Sequence, residues 1–245
     1  MDRELYPLMA QVEDSHWWFC ARRSIVASML SGLELSPGAL ILEPGCGTGG
    51  NFAMLARFGE VYAMDADFEA CKFSSARKTA IVEPGELPDR VPFERIAFDL
   101  VVMTDVLEHL DRDQETLSVL RERLKPGGWV LATVPAFSWL WSVHDETHHH
   151  QRRYVAGALR TLFERAGYDV TYLSYYNFLL FPAIAAARLL GHLRKSSPQH
   201  DHDLRAHSGL INSMLRTVFS SERFAIGHLA VPFGVSLLVL ARRTS

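Results

Sequence analysis

The sequence predicts a doubly wound α/β fold built as one domain over residues 1–245, and three observations predict it. Short apolar runs alternate with amphipathic stretches from Ala39 onward. One run, Leu40–Glu43, passes directly into a glycine turn and a helix, and another is preceded by a Lys125-Pro126-Gly127-Gly128 stop. Alternation of this kind gives parallel strands joined by crossover helices, because each strand must return over a face of the sheet.

In chain order, Arg3–Leu33 reads as a helical cap (residues 1–35) carrying His16-Trp17-Trp18-Phe19. So dense an aromatic group serves core packing first, with a pocket wall as the alternative. A core over residues 39–176 follows. Its strands are Ala39–Glu43, Val61–Asp65, Phe98–Met103 and Trp129–Val134, and helical spacing occupies Asn51–Phe58, Asp67–Lys78 and Asp111–Leu124. A polar loop then runs to Tyr154, followed by a helix over Val155–Ala166 and a strand over Tyr168–Tyr175. Residues 177–230 form an apolar helical insertion, in which Lys195–His207 reads as a surface loop, and residues 233–242 hold a closing strand. An insertion of roughly fifty residues far exceeds the usual ~2 to 6 residue connection, and in an enzyme it would cover the substrate.

Composition narrows the classes. A hydrophobic fraction of 48%, a charged fraction of 22% and a net charge of -3 describe a folded chain without the basic field that phosphate-backbone binding requires. Nucleic acid is therefore not an expected partner. Three scattered cysteines, Cys20, Cys46 and Cys71, make no disulfide framework, and the N-terminus has no apolar signal-peptide core, so the expected compartment is cytoplasmic. The apolar segments Phe178–Leu193 and Phe224–Leu240 are each shorter than about 18 residues and read as buried elements. They also leave room for a peripheral membrane site that admits a lipid or polyprenyl-linked acceptor.

The segment Leu40–Phe52, LILEPGCGTGGNF, carries the strongest local signal. Its glycines let a ligand approach the backbone, and the following helix start offers free N–H groups. Gly45, Gly47 and Gly50 also satisfy G-x-G-x-x-G, which suggests a dinucleotide. Glu43 discriminates, since a carboxylate there repels a pyrophosphate but accepts hydrogen bonds from the amino group of a methionine moiety. The turn thus favours S-adenosylmethionine over NAD. Asp65, at the end of the next strand, is placed for ribose hydroxyls or, alternatively, for a helix N-cap. Glu86 would accept from an adenine amino group or stand solvated in its loop, and Asp105 lies at the carboxyl edge of the sheet, where ligands bind in open α/β folds.

Through EPGCGTG, Asp65, FDLVVMTDVLEHL and LKPGGWVLATVP, residues 20–170 resemble the class I S-adenosylmethionine-dependent methyltransferases of bacterial small-molecule type. The resemblance implies a Rossmann-like fold, a mixed seven-stranded sheet with helices on both faces and its final strand antiparallel. It also implies donor roles for Glu43, Gly45, Gly47, Asp65 and the Asp105–His109 segment. With their neighbours, the expected donor-contacting set is Glu43, Gly45, Cys46, Gly47, Asp65, Ala66, Glu86, Asp105 and Val106.

Pro135–Tyr154, PAFSWLWSVHDETHHHQRRY, follows a strand at the same edge. A His beside a carboxylate suits general-base work, so His144, Asp145, His150, Arg152 and Tyr154 are the expected catalytic set. Arg152 and Arg153 would also bind an anionic acceptor. No metal is expected, because consecutive histidines cannot all point one way and no H-x-E or HExxH pattern is present. The expected activity is methyl transfer to a small-molecule acceptor, preferably at oxygen. RNA or protein methylation and non-catalytic donor binding by a regulatory protein are the alternatives.

Overall fold

Among residues 5–194 and 209–244, which the computed structural model describes, seven strands form one mixed sheet. The strands are β1 (Leu40–Pro44), β2 (Glu60–Asp65), β3 (Ile81–Pro84), β4 (Phe98–Thr104), β5 (Leu124–Pro135), β6 (Tyr168–Tyr176) and β7 (Ser236–Arg243). Their order is β3-β2-β1-β4-β5-β7-β6. All neighbouring pairs are parallel except those made by β7, which runs antiparallel between β5 and β6. The chain reverses direction in the order between β1 and β4, and that reversal opens a crevice at the strands' carboxyl ends.

Period-two alternation in the central strands builds two core layers. Leu100 and Val102 of β4 join Ile41 and Leu131 beneath Ile25, Val26 and Leu30 of helix α2 (Trp17–Ser31). Val101 and Met103 point to the opposite face, against Leu117 and Leu120 of α5 (Asp113–Arg123) and Leu159 and Phe163 of α7 (Ala156–Arg165). With both faces covered, β1 and β4 read as near-continuous apolar runs, as strands of a parallel sheet do.

The expected N-terminal helix is two helices, α1 (Leu5–Val12) and α2, because the chain turns at Glu13–His16 and the His16 ring accepts the Trp18 N–H to cap α2. After the glycine turn, α3 is only Phe52–Leu55, shorter than the expected Asn51–Phe58. Helix α4 (Phe68–Ala76) begins one residue after Asp67, whose side chain accepts the Glu69 N–H. β5 starts at Leu124, earlier than the expected Trp129, since Leu124 pairs with Phe98 and the Lys-Pro-Gly-Gly stretch is carried within the strand as an irregularity. The insertion between β6 and β7 holds α8 (Phe181–Arg194) and α9 (Gly209–Ser221). The loop expected at Lys195–His207 lies outside the described residues. No helix of the described residues is long and apolar enough to cross a membrane.

The insertion and the cap pack on each other. Buried Phe219 of α9 contacts the rings of Trp17, Trp18 and Tyr176, and Asn212 accepts the Trp17 N–H at 2.9 Å. Together these helices roof the carboxyl edge of the sheet.

Candidate active site

Beneath that roof lies a cavity of about 770 Å³. One half is built on the glycine turn. Gly45 sits at φ +69°, and a Cβ there would fall 2.7 Å from Val106 Cγ2, so only glycine closes the turn against the loop after β4. Gly50 is pressed instead by the turn that follows α1, since a Cβ would meet the Glu13 carboxylate at 2.2 Å. The cap is thereby seated on the turn, and Arg77 bonds Glu13 at 2.6 Å and Asp14 at 3.2 Å to hold it there.

Glu43 is buried in this half. Its Oε1 accepts from Asn51 Nδ2 at 2.7 Å, and Oε2 has no hydrogen-bond partner among the described residues. Burial pushes its pKa up to about 8, against the opposing effects of Asn51 and Arg22. An unpartnered buried acceptor lining a cavity is a place for an ammonium group. Asp65 accepts the Gly47 N–H at 2.9 Å and the Asp67 N–H at 3.0 Å, and burial raises its pKa. The N-cap alternative falls to Asp67, which leaves Asp65 facing the cavity. Cys46, Ala66 and Val106 line the same half, and Glu86 stands exposed with Leu87 at its margin. Asp105, at φ +57°, is ion-paired with buried Arg22 of α2 and accepts from Thr133 Oγ1 at 3.0 Å. Arg22 carries no periodic signal that would mark it out in the sequence.

The other half is lined by Glu108, His109, His144, His148, His150 and Arg153. Asp145, fully buried, organises it. Its carboxylate accepts from His150 Nδ1 at 2.8 Å, from Arg153 Nε and Nη2 at 2.8 and 2.9 Å, and from Ser142 N at 2.9 Å. Burial alone would raise its pKa, but the His150 and Arg153 hydrogen bonds win and hold it well below the usual carboxylate range. Asp145 is thus the positioning group for His150. Burial and then neighbouring imidazoles depress His109 to about 4 and His148 to about 3, so both rings are neutral at physiological pH. Glu108 is fully buried with neither carboxyl oxygen hydrogen-bonded among the described residues, and burial, helped by Asp105, raises its pKa.

Two expected catalytic residues lie elsewhere. Arg152 bonds Asp113 at 2.9 Å, and Tyr154 donates to Asp113 at 2.9 Å and to the Leu107 carbonyl at 3.2 Å; neither lines the cavity. The reason is the phase of an extended chain. Tyr154 bridges Ala136, and consecutive side chains alternate, so Arg153 faces Asp145 while its two neighbours face Asp113. Arg153, the other arginine expected at an anionic acceptor, lines the cavity together with Glu108, His109 and His148. Glu108-His109 is legible as an acid-imidazole pair just beyond β4.

The sequence model of a family described as a methyltransferase domain matches residues 19–173. A probable S-adenosylmethionine-dependent methyltransferase of Mycolicibacterium smegmatis is 28% identical over 161 residues, which cover 64% of this chain and 61% of that protein. The chain spans less than two thirds of the length of each curated relative it matches, from 35% to 61%. Among solved structures, the methyltransferase chain of a Haloferax volcanii complex with the Trm112 activator superposes with TM-score 0.63 at 19% identity, covering 99% of this chain and 97% of that one. A Haemonchus contortus phosphoethanolamine N-methyltransferase in complex with S-adenosyl-L-methionine gives TM-score 0.58 at 17% identity, covering 90% of this chain and 52% of that one. At those identities the structural matches establish the fold.

Proposed function

The chain belongs to the methyltransferase-domain family, and from that premise we propose that it transfers a methyl group from S-adenosylmethionine to a small-molecule acceptor, preferably at oxygen. The observation that carries this reading is the division of one cavity into two chemically distinct halves. In the donor half, Glu43 Oε2 is unpartnered and suits the amino group of the methionine moiety, and Asp65 suits the ribose hydroxyls. Gly45, Cys46 and Gly47 give the closely approachable backbone between them.

Bound there, S-adenosylmethionine supplies an already activated methyl group, so the chain's own work is alignment, exclusion of water and handling of the acceptor's proton. Trp17, Trp18 and Phe19 of the cap and Ile184 and Arg188 of the insertion roof the cavity, which favours an acceptor small enough to be enclosed. In the acceptor half, Asp145 fixes the His150 ring through Nδ1 and leaves Nε2 to take a proton from an acceptor hydroxyl. That arrangement supports oxygen as the target atom.

The test is transfer of labelled methyl groups from S-adenosylmethionine into a cell extract, with mass spectrometry of the product. A labelled small molecule bearing a new methyl ether or ester is expected. Label found only in protein or RNA would reject the small-molecule reading, and no label beyond background would reject catalysis.

A further inference from the structure

We infer that the acceptor half holds a first-row divalent cation of zinc-like ligand preference between Glu108, His109 and His150. One ligand atom from each of the three lies within 4.8 Å of the others. Both imidazoles already have one nitrogen committed. His150 Nδ1 is on Asp145 at 2.8 Å, and His109 is hydrogen-bonded to the backbone of His149. Each ring therefore has its second nitrogen available, with its orientation set from behind by a carboxylate or carbonyl, the arrangement that supports metal-binding histidines.

The third group is the stronger indication. Glu108 is fully buried, lines the cavity, and has neither oxygen paired among the described residues. Leaving such a carboxyl unpaired is costly, and a cation between it and two imidazoles would satisfy it. The two segments are also clamped at fixed spacing, since Gln151 N donates to the Glu108 carbonyl at 2.8 Å and Gln151 Nε2 to the His109 carbonyl at 2.9 Å. The nearest guanidinium groups do not oppose a cation with uncompensated charge, because Arg153 is neutralised by Asp145 and Arg22 by Asp105.

Two imidazoles and one carboxylate suit zinc and its first-row neighbours, and three protein ligands leave positions open toward the cavity. An acceptor entering there would ligate the cation through oxygen, which names its class as a hydroxyl- or carboxylate-bearing compound. The cation would then lower the acceptor hydroxyl's pKa, His150 Nε2 would serve as ligand in place of proton acceptor, and the hydroxyl's proton would pass to solvent water as the methyl leaves sulfur and S-adenosylhomocysteine forms. This last role rests on the reading of that half as the acceptor site; cation binding does not. The expectation of no metal rested on the His144–His150 run and on the absence of an H-x-E or HExxH pattern, and neither reason registers a set in which two of the three ligands come from the turn after β4.

The experiment uses the full chain without affinity-tag histidines, stripped with chelator. Cobalt(II) is titrated by visible absorption and zinc(II) by calorimetry, with S-adenosylmethionine titrated in parallel. One equivalent of cation per chain is expected, with cobalt bands of nitrogen-oxygen coordination. Glu108→Gln and His109→Ala should each weaken binding at least tenfold while still binding S-adenosylmethionine, which reports that they are folded. No saturable cation binding, or binding left unchanged by either variant, would overturn the site. Failure of the wild-type chain to bind S-adenosylmethionine would instead overturn the donor reading, whatever the cation does.

Discussion

Asp145 Oδ1 lies 2.8 Å from His150 Nδ1, and the same buried carboxylate receives two hydrogen bonds from Arg153. In the proposed function Asp145 positions His150, and His150 meets the acceptor as its proton acceptor or, with a cation bound, as that cation's ligand. His150→Gln should lower turnover of the labelled acceptor by about 10² to 10⁴ with donor affinity unchanged. Asp145→Asn should lower kcat about ten- to hundredfold with acceptor KM little altered, since the ring stays in place with its orientation loosened. Equal losses in donor affinity for both variants would show a collapsed site instead.

Arg152 gives the opposite expectation. Its guanidinium is half exposed on Asp113, outside the cavity, and such a pair is worth about 1 kcal/mol or less. Arg152→Ala should leave acceptor KM within about twofold, whereas Arg153→Ala should not. A large KM effect confined to Arg152 would restore it as an acceptor ligand.

The difference between these two arginines shows what the sequence could and could not tell. The central strands were legible because both of their faces are buried, and the donor turn because Gly45 and Gly47 sit at positive φ directly after a strand that carries Glu43 two residues before the first of them. β3 offered no comparable signal, being a four-residue edge strand with largely exposed side chains. On the acceptor side, location was legible but phase was not. One residue of register decides whether Arg152 or Arg153 faces inward, and the long-range Ala136–Tyr154 bridge sets it. Arg22 and Glu108 face partners distant in sequence, Asp105 for the one and His150 for the other, so their segments were legible and their pairings were not.

The Arg22–Asp105 ion pair ties the cap to the edge of the sheet. Asp105→Ala would leave a buried guanidinium without its carboxylate, and thermal or denaturant unfolding should show a loss of about 3 to 5 kcal/mol. Substitution of both residues by apolar ones of similar volume should recover much of it.

With the donor's amino group on Glu43, as proposed, donor binding should be pH-dependent. Its folded pKa of about 8 exceeds the ordinary 4.5, so the free protein holds that proton at neutral pH, while an ammonium partner favours the carboxylate. Binding should therefore release a proton, and affinity should rise by up to about tenfold per pH unit between roughly pH 6 and 7.5. Calorimetry in buffers of different ionisation enthalpy checks the release, and Glu43→Gln should abolish it. For stability the sign reverses. The folded state binds more protons than the unfolded state between about pH 4.5 and 8, so this residue's contribution is intact below 4.5 and is lost as pH rises through that window. Glu43→Gln should accordingly melt higher than wild type at pH 8, with the difference vanishing near pH 5.

Calorimetric titration of the full chain with S-adenosylmethionine, S-adenosylhomocysteine and NAD tests the central claim most directly. One equivalent of each sulfur nucleoside is expected, no binding of NAD, and a loss of about 1.5 to 3 kcal/mol, roughly ten- to over a hundredfold in affinity, on Asp65→Ala. NAD binding in preference to S-adenosylmethionine, or donor affinity untouched by Asp65→Ala, would contradict it.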